Sequence, residues 1–102
     1  GLREEWWPNG VKALEGRYLR GEREGLWSTW HDSGALRSQG RYVEGLREGP
    51  WSEWHADGSA RCAASYAAGR RDGVWRAWHP DGSLAEAGEF VEGLREGPWG
   101  FF

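Results

Sequence analysis

The side chains best suited to chemistry in this chain of 102 residues recur at a single spacing. His31, His55 and His79 stand in one column of period 24, Arg23, Arg47, Arg71 and Arg95 in another, and Cys62 is the only thiol. Three imidazoles suggest a metal centre. If each period spans two antiparallel strands, however, successive members of a column lie about 9.6 Å apart, because neighbouring strands are about 4.8 Å apart. Ligand bonds to a metal such as zinc are only about 2 Å long. The histidines therefore cannot share an ion and are expected to cap strand ends or face solvent; no metal and no cofactor is called for. Cys62 lies in the alanine-rich stretch Ala60 to Ala68, where no helix N-terminus and no base is present to lower its pKa. No Ser, His and Asp arrangement stands out, and no Gly-rich phosphate loop opens a helix. Catalysis is not expected of these residues.

Each arginine of the row precedes an acid, Glu24, Glu48, Asp72 or Glu96. Four guanidinium groups in line would suit carboxylates on a partner. The adjacent acids are expected to cancel much of that field, leaving solvated turn residues with local ion pairs of little individual worth.

These positions belong to a repeat that runs without a gap. The units are residues 1–24, 25–48, 49–72 and 73–96, with a partial unit at 97–102. Sixteen of the 17 glycines fall in four columns, headed by Gly1, Gly10, Gly16 and Gly21, and eight of the nine tryptophans fall in two, so the period is not a chance alignment. Ala64 is the exception in the Gly16 column. Asn or Asp followed by Gly, as in Pro8-Asn9-Gly10, or by Ser-Gly in Asp32-Ser33-Gly34, marks one tight turn per unit. The stretch Gly45-Leu46-Arg47-Glu48-Gly49 and its equivalents read as a second turn. The segments between, such as Leu26 to His31 and Ala35 to Val43, are too short for helices and carry the aromatic and β-branched residues of strands. One domain is expected, residues 1–102: an all-β, elongated, twisted single-layer antiparallel meander of tandem 24-residue hairpins.

Leu, Ile, Val and Phe total only 15 residues, so the tryptophans must supply much of the buried apolar surface, each ring covering about 150 to 250 Å². The candidate binding face is aromatic: Trp27, Trp30, Trp51, Trp54, Trp75 and Trp78, with Tyr18, Tyr42 and Tyr66. Such rings are rigid and enriched at interaction hot spots; the competing expectation is that they are the core. A register opposing Tyr42 to Trp51, Tyr18 to Trp27, Tyr66 to Trp75 and Phe90 to Trp99 would alternate Tyr and Trp along one face. Trp27 and Trp30 are three apart, so either each face carries one Trp column or a bulge brings both to the same side. The third unit, with Ala60 and Ala64, is the most eroded, and drift accounts for it more simply than a ligand site.

The formal net charge of −3 offers no basic face for nucleic acid. A lone cysteine excludes an intramolecular disulfide and fits a reducing, cytoplasmic compartment. No apolar run approaches the ~20 residues of a membrane helix, and the first residue is Gly1, so a targeting segment could precede it. The uncapped ends, Arg3 in place of the first Trp and Trp99-Gly100-Phe101-Phe102, point to a fragment of a longer protein with flanking domains or to end-to-end self-association.

The pattern G-x-W-x-x-W-H-x-D-G-x-L-x-x-x-G-x-Y-x-x-G-x-x-x-G over Gly25 to Gly49, and again over Gly73 to Gly97, resembles the MORN repeat (membrane occupation and recognition nexus). Its 24-residue spacing and W-x-x-W form are similar to the bacterial variant found in YwqK-type antitoxins. The resemblance covers the whole chain and departs at Arg3, Ala60 and Ala64. It implies an extended sheet of consecutive hairpins, non-catalytic, serving protein binding, assembly or membrane association. The expected function is a scaffold that binds another protein through an aromatic face or open edge, as an antitoxin in the narrowest form; the alternatives are a carbohydrate-binding or a membrane-surface module.

Overall fold

The computed structural model describes Gly1–Phe102 as one antiparallel sheet and no helix. Its strands are β1 (Leu2–Trp6), β2 (Lys12–Leu19), β3 (Glu22–Trp30), β4 (Leu36–Val43), β5 (Leu46–Trp54), β6 (Ala60–Ala67), β7 (Arg70–Arg71), β8 (Gly73–Trp78), β9 (Leu84–Val91) and β10 (Leu94–Phe101). Strand order in space follows chain order; β7, separated from β8 by Asp72 alone, also pairs with β6. The molecule measures 42 × 34 × 13 Å, the dimensions of a single layer.

The first turn of each unit lies where the Asn/Asp and Gly signals place it. His31 N donates to Ala35 O and Gly34 N to His31 O, and the same pair of bonds recurs at Trp7, His55 and His79. The second turn does not lie in the Gly-x-Arg-Glu-Gly stretch. Val43 pairs with Leu46, so the turn is the two residues Glu44 and Gly45, with φ of 50° and 81°. Two left-handed residues give the type I′ twist that suits a hairpin. Glu44 and its equivalents Arg20, Ala68 and Glu92 accept that conformation although none is glycine. Leu46 to Gly49, expected in the turn, is strand.

The expected register is also corrected. Tyr42 pairs with Arg47, not Trp51. Arg41 faces Glu48 and Gln39 faces Ser52, so one residue of β4, Gly40, stands opposite three of β5, Gly49, Pro50 and Trp51. Inserting two extra residues preserves the alternation of faces, because side chains alternate with period two. The same irregularity sets Gly16 against Gly25 to Trp27 and Gly88 against Gly97 to Trp99. On its other edge Trp51 pairs regularly, with Ala64.

The bulge gives the Trp ring its seat. Trp51 lies across Gly40 so closely that a Cβ there would be 2.1 Å from Cδ2, and Trp27 on Gly16 and Trp99 on Gly88 are equally close at 2.0 and 2.2 Å. Only glycine leaves room for such an approach. Seated, Trp27 and Trp51 donate Nε1–H to the carbonyls of Arg17 and Arg41, both at 3.1 Å, and are only 3% and 6% exposed. With Tyr42 they form the core, against which Leu14, Tyr18 and Tyr66 pack.

Candidate binding surface

On the seated face the rings form a ladder. Centroid separations are 5.2 Å for Tyr18 and Trp27, 6.1 Å for Trp27 and Tyr42, 5.1 Å for Tyr42 and Trp51, and 6.4 Å for Trp51 and Tyr66, all edge to face. The expected alternation thus exists through ring contact rather than backbone pairing for Tyr18 with Trp27, Tyr42 with Trp51 and Phe90 with Trp99, whereas Tyr66 and Trp75, also expected to meet, make no ring contact. A second run joins Trp75, Phe90, Trp99 and Phe101.

The two runs are separated at Ala64. A methyl group occupies the place of the glycine seat, and Trp75 is partly exposed where Trp27 and Trp51 are buried. Its Nε1–H turns to Glu86 Oε1 at 2.6 Å instead of a backbone carbonyl of the preceding strand. Beside it is a hollow of about 270 Å³, bordered by Glu53, His55, Cys62, Trp75 and Trp78 among others. Cys62 there donates to Glu53 Oε2 at 3.4 Å, and burial pushes its thiol up to about 11, with the Glu53 carboxylate adding to the shift. A thiol so held is a poor nucleophile at neutral pH.

The candidate aromatic residues do not share one face. Trp27, Trp51 and Trp75 stand with Tyr18, Tyr42 and Tyr66 in the ladder column. Trp54 lies on the opposite side, where it borders a hollow with Leu26, Pro50 and Ser52; Trp30 and Trp78 hold the same column in the repeat, and Trp78 also reaches the hollow that Trp75 borders. That opposite side also carries exposed apolar side chains, Leu26, Leu46 and Val74 among them.

The arginine row is neither in the turn nor ion-paired as expected, although Arg23, Arg71 and Arg95 are solvent-exposed. Arg23, Arg47 and Arg71 are strand residues, as is Arg95, and alternation puts them on the ladder face while the acids that follow point away. Glu24 and Glu48 accept the backbone N–H of Glu44 and Ala68 in the next turn, at 3.0 and 2.8 Å. None of the four arginines is in an ion pair; the chain's ion pairs involve Arg3, Lys12 and Arg61. Each guanidinium instead lies over two rings. The Cζ to centroid distances are 4.9 and 5.4 Å for Arg23 on Trp27 and Tyr42, and 4.4 and 5.3 Å for Arg47 on Trp51 and Tyr66. Arg71 lies 4.6 and 5.3 Å from Trp75 and Phe90, and Arg95 lies 4.6 and 5.8 Å from Trp99 and Phe101. The Tyr42 and Tyr66 hydroxyls accept from Arg23 and Arg47. The acceptor is missing above Arg71 and Arg95, where the facing rings are phenylalanine. Composition could not disclose this arrangement, but the 24-residue recurrence of Arg with Trp four residues later is its signal in the sequence.

The histidines end their strands. His31 Nε2 donates to Trp54 O at 2.8 Å and His79 Nε2 to Phe102 O at 2.9 Å, each 23 residues on. Trp7, in the same column, makes the corresponding bond to Trp30 O through Nε1. His55 Nε2 is buried without a partner, and the ring borders the hollow beside Trp75.

The sequence profile of the MORN repeat variant matches residues 23–44 and 71–92. Each match opens on an arginine of the row and closes at the first residue of a two-residue turn. The unmatched units are those in which Arg3 replaces Trp and Ala64 replaces Gly. No curated protein matches the chain. MORN repeats are non-catalytic modules for interaction with proteins or membranes. With its two profile matches and its meander of hairpins, the chain is a MORN repeat protein.

Proposed function

We propose that this chain is a scaffold that binds another protein on the ladder face, with the arginine row as the point of engagement. The observation that carries this reading is the set of four guanidinium groups fixed over aromatic rings without a carboxylate partner. A guanidinium already held in place loses less freedom on binding than a mobile side chain. Toxin neutralisation is the narrowest form of the same reading, and co-expression with the product of a neighbouring gene tests it directly.

The general test starts from a binding partner isolated with the chain and then purified. Its affinity is measured for wild type, Arg47→Glu with Arg71→Glu, and Leu26→Asp with Val74→Asp. Loss in the first pair alone is expected. Loss only in the second pair moves the site to the opposite face and overturns the proposal.

A further inference from the structure

We infer that the ladder face takes an extended acidic segment of a partner protein, in polyproline II conformation, with a carboxylate at every third residue. The inference rests on the proposed function and adds the chemistry and period of the partner.

The period comes from the sheet. Successive arginines of the row are two strands apart, about 9.6 Å, and the 42 Å long dimension agrees with nine strand positions about 4.8 Å apart. A thickness of 13 Å keeps the row close to one plane. A polyproline II helix has three residues per turn and rises about 3.1 Å per residue, so every third side chain returns to the same side after about 9.3 Å. A β-strand does not fit: residues three apart point to opposite sides, and those on one side recur at about 6.7 Å or its multiples. Four carboxylates on one edge of such a helix would meet Arg23, Arg47, Arg71 and Arg95 in turn.

The surface between the arginines suits the rest of such a segment. Arg23 and Arg47 border a hollow of about 230 Å³ that is also lined by Trp27, Thr29, Tyr42 and Trp51. Aromatic-lined hollows receive prolyl rings in other recognition of this helix, whose preformed shape lowers the entropy lost on binding. The charge complementarity is local. The acids that follow the row point away; on the ladder face itself Glu86 is bound by Trp75 Nε1–H and Glu53 by Arg61 and Cys62, so neither forms an ion pair with an arginine of the row.

The test uses the full chain and fluorescein-labelled twelve-residue peptides, read by fluorescence polarisation. One peptide repeats Glu-Pro-Pro four times; its isomer places the four glutamates together before eight prolines. The spaced peptide is expected to bind about tenfold more tightly than the block. Arg47→Gln and Arg71→Gln are each expected to weaken it about three- to tenfold, while Leu26→Asp on the other face leaves it unchanged. Near-UV circular dichroism verifies that each variant keeps its ring ladder. Equal affinity for the two isomers overturns the inference, since net charge alone would then explain binding. So does binding to phosphatidylserine vesicles with neither peptide bound, which would assign the row to a lipid surface. If neither peptide binds while a purified protein partner still depends on Arg47 and Arg71, the scaffold reading survives and the acidic segment does not. If that partner also ignores the row, both fail.

Discussion

Replacing Gly40 by alanine should destabilise the protein even though the local backbone preference points the other way. The new Cβ would lie 2.1 and 2.2 Å from Cδ2 and Cε2 of Trp51, so the ring must withdraw by well over an ångström. Withdrawal gives up the Nε1–H bond to Arg41 O, worth about 1 kcal/mol. It also gives up the edge contact with Tyr42, about 1 kcal/mol more. Exposing roughly 40 Å² of ring adds about 1 kcal/mol. Against this, alanine in a strand gains about 0.5 to 1 kcal/mol over glycine. The net cost is about 2 kcal/mol, which for a domain of this size lowers Tm by roughly 8 to 16 °C. Ala64→Gly should do the opposite, because it opens a seat that Trp75 lacks. Calorimetry and urea titration of both variants provide a test of sign. Backbone preference alone predicts that Gly40→Ala stabilises and Ala64→Gly destabilises, and that pair of outcomes would refute the seat as the determinant of ring packing.

Tyr42→Phe removes the acceptor of Arg23 and makes that step resemble Phe90 above Arg71; a loss of about 0.5 to 1.5 kcal/mol is expected by denaturant titration, with the fold unchanged. Cys62 should react with a thiol reagent at pH 8 only at the rate of unfolding, since its thiol is buried and held up to about 11. The folded pKa lies above the ordinary value of 9.0, so the stabilisation is complete below about pH 9 and is lost as pH rises towards 11; Cys62→Ser should flatten that part of a stability profile relative to wild type. Asp81 is held below its ordinary value by bonds from the Ser83 hydroxyl and backbone N–H, with the same arrangement at Asp57 and Ser59. That contribution is present above the ordinary value of 3.8 and lost as pH falls through the lower folded one, so Asp81→Ala should cost stability at pH 7 and progressively less as pH falls below 3.8 in thermal melts.

Much of the architecture was legible because turn chemistry and period are local properties. Asp32-Ser33-Gly34 marks its turn, and the 24-residue recurrence of Trp and Gly gives the hairpin unit and the meander. The bulge was not legible. Nothing in Gly49-Pro50-Trp51 alone says that three residues stand opposite one; the Tyr42 to Trp51 pairing failed earlier, because the turn is Glu44-Gly45 and sets Tyr42 against Arg47 before the bulge begins, although the rings do meet. The arginines were misplaced as a consequence, since moving the turn back to Glu44-Gly45 turns Arg47 from a loop residue into a strand residue of defined face. Of the candidate aromatic surface, the ladder column could not be separated by the three-residue step between Trp27 and Trp30, because β3 pairs regularly from Trp27 to Thr29 and shifts register at Trp30, an irregularity that the spacing does not mark. The effect of Ala64 needs the seat to be seen first, because one methyl group matters only where a ring lies against the backbone.

The agreement between chain order and spatial order bears on how the molecule is made. Leu2 finds Arg17 and Tyr42 finds Arg47, so no strand waits for a partner far along the chain. Loops this short close cheaply, and proteins dominated by such contacts fold quickly for their size. During synthesis at roughly 5 to 20 residues per second, each hairpin can add to the sheet within seconds of leaving the ribosome. The growing edge is then a template for the next strand. A ribosome that paused after the third unit would leave the intact ring ladder from Tyr18 to Tyr66 already assembled, with the residues beyond Ala64 still to come.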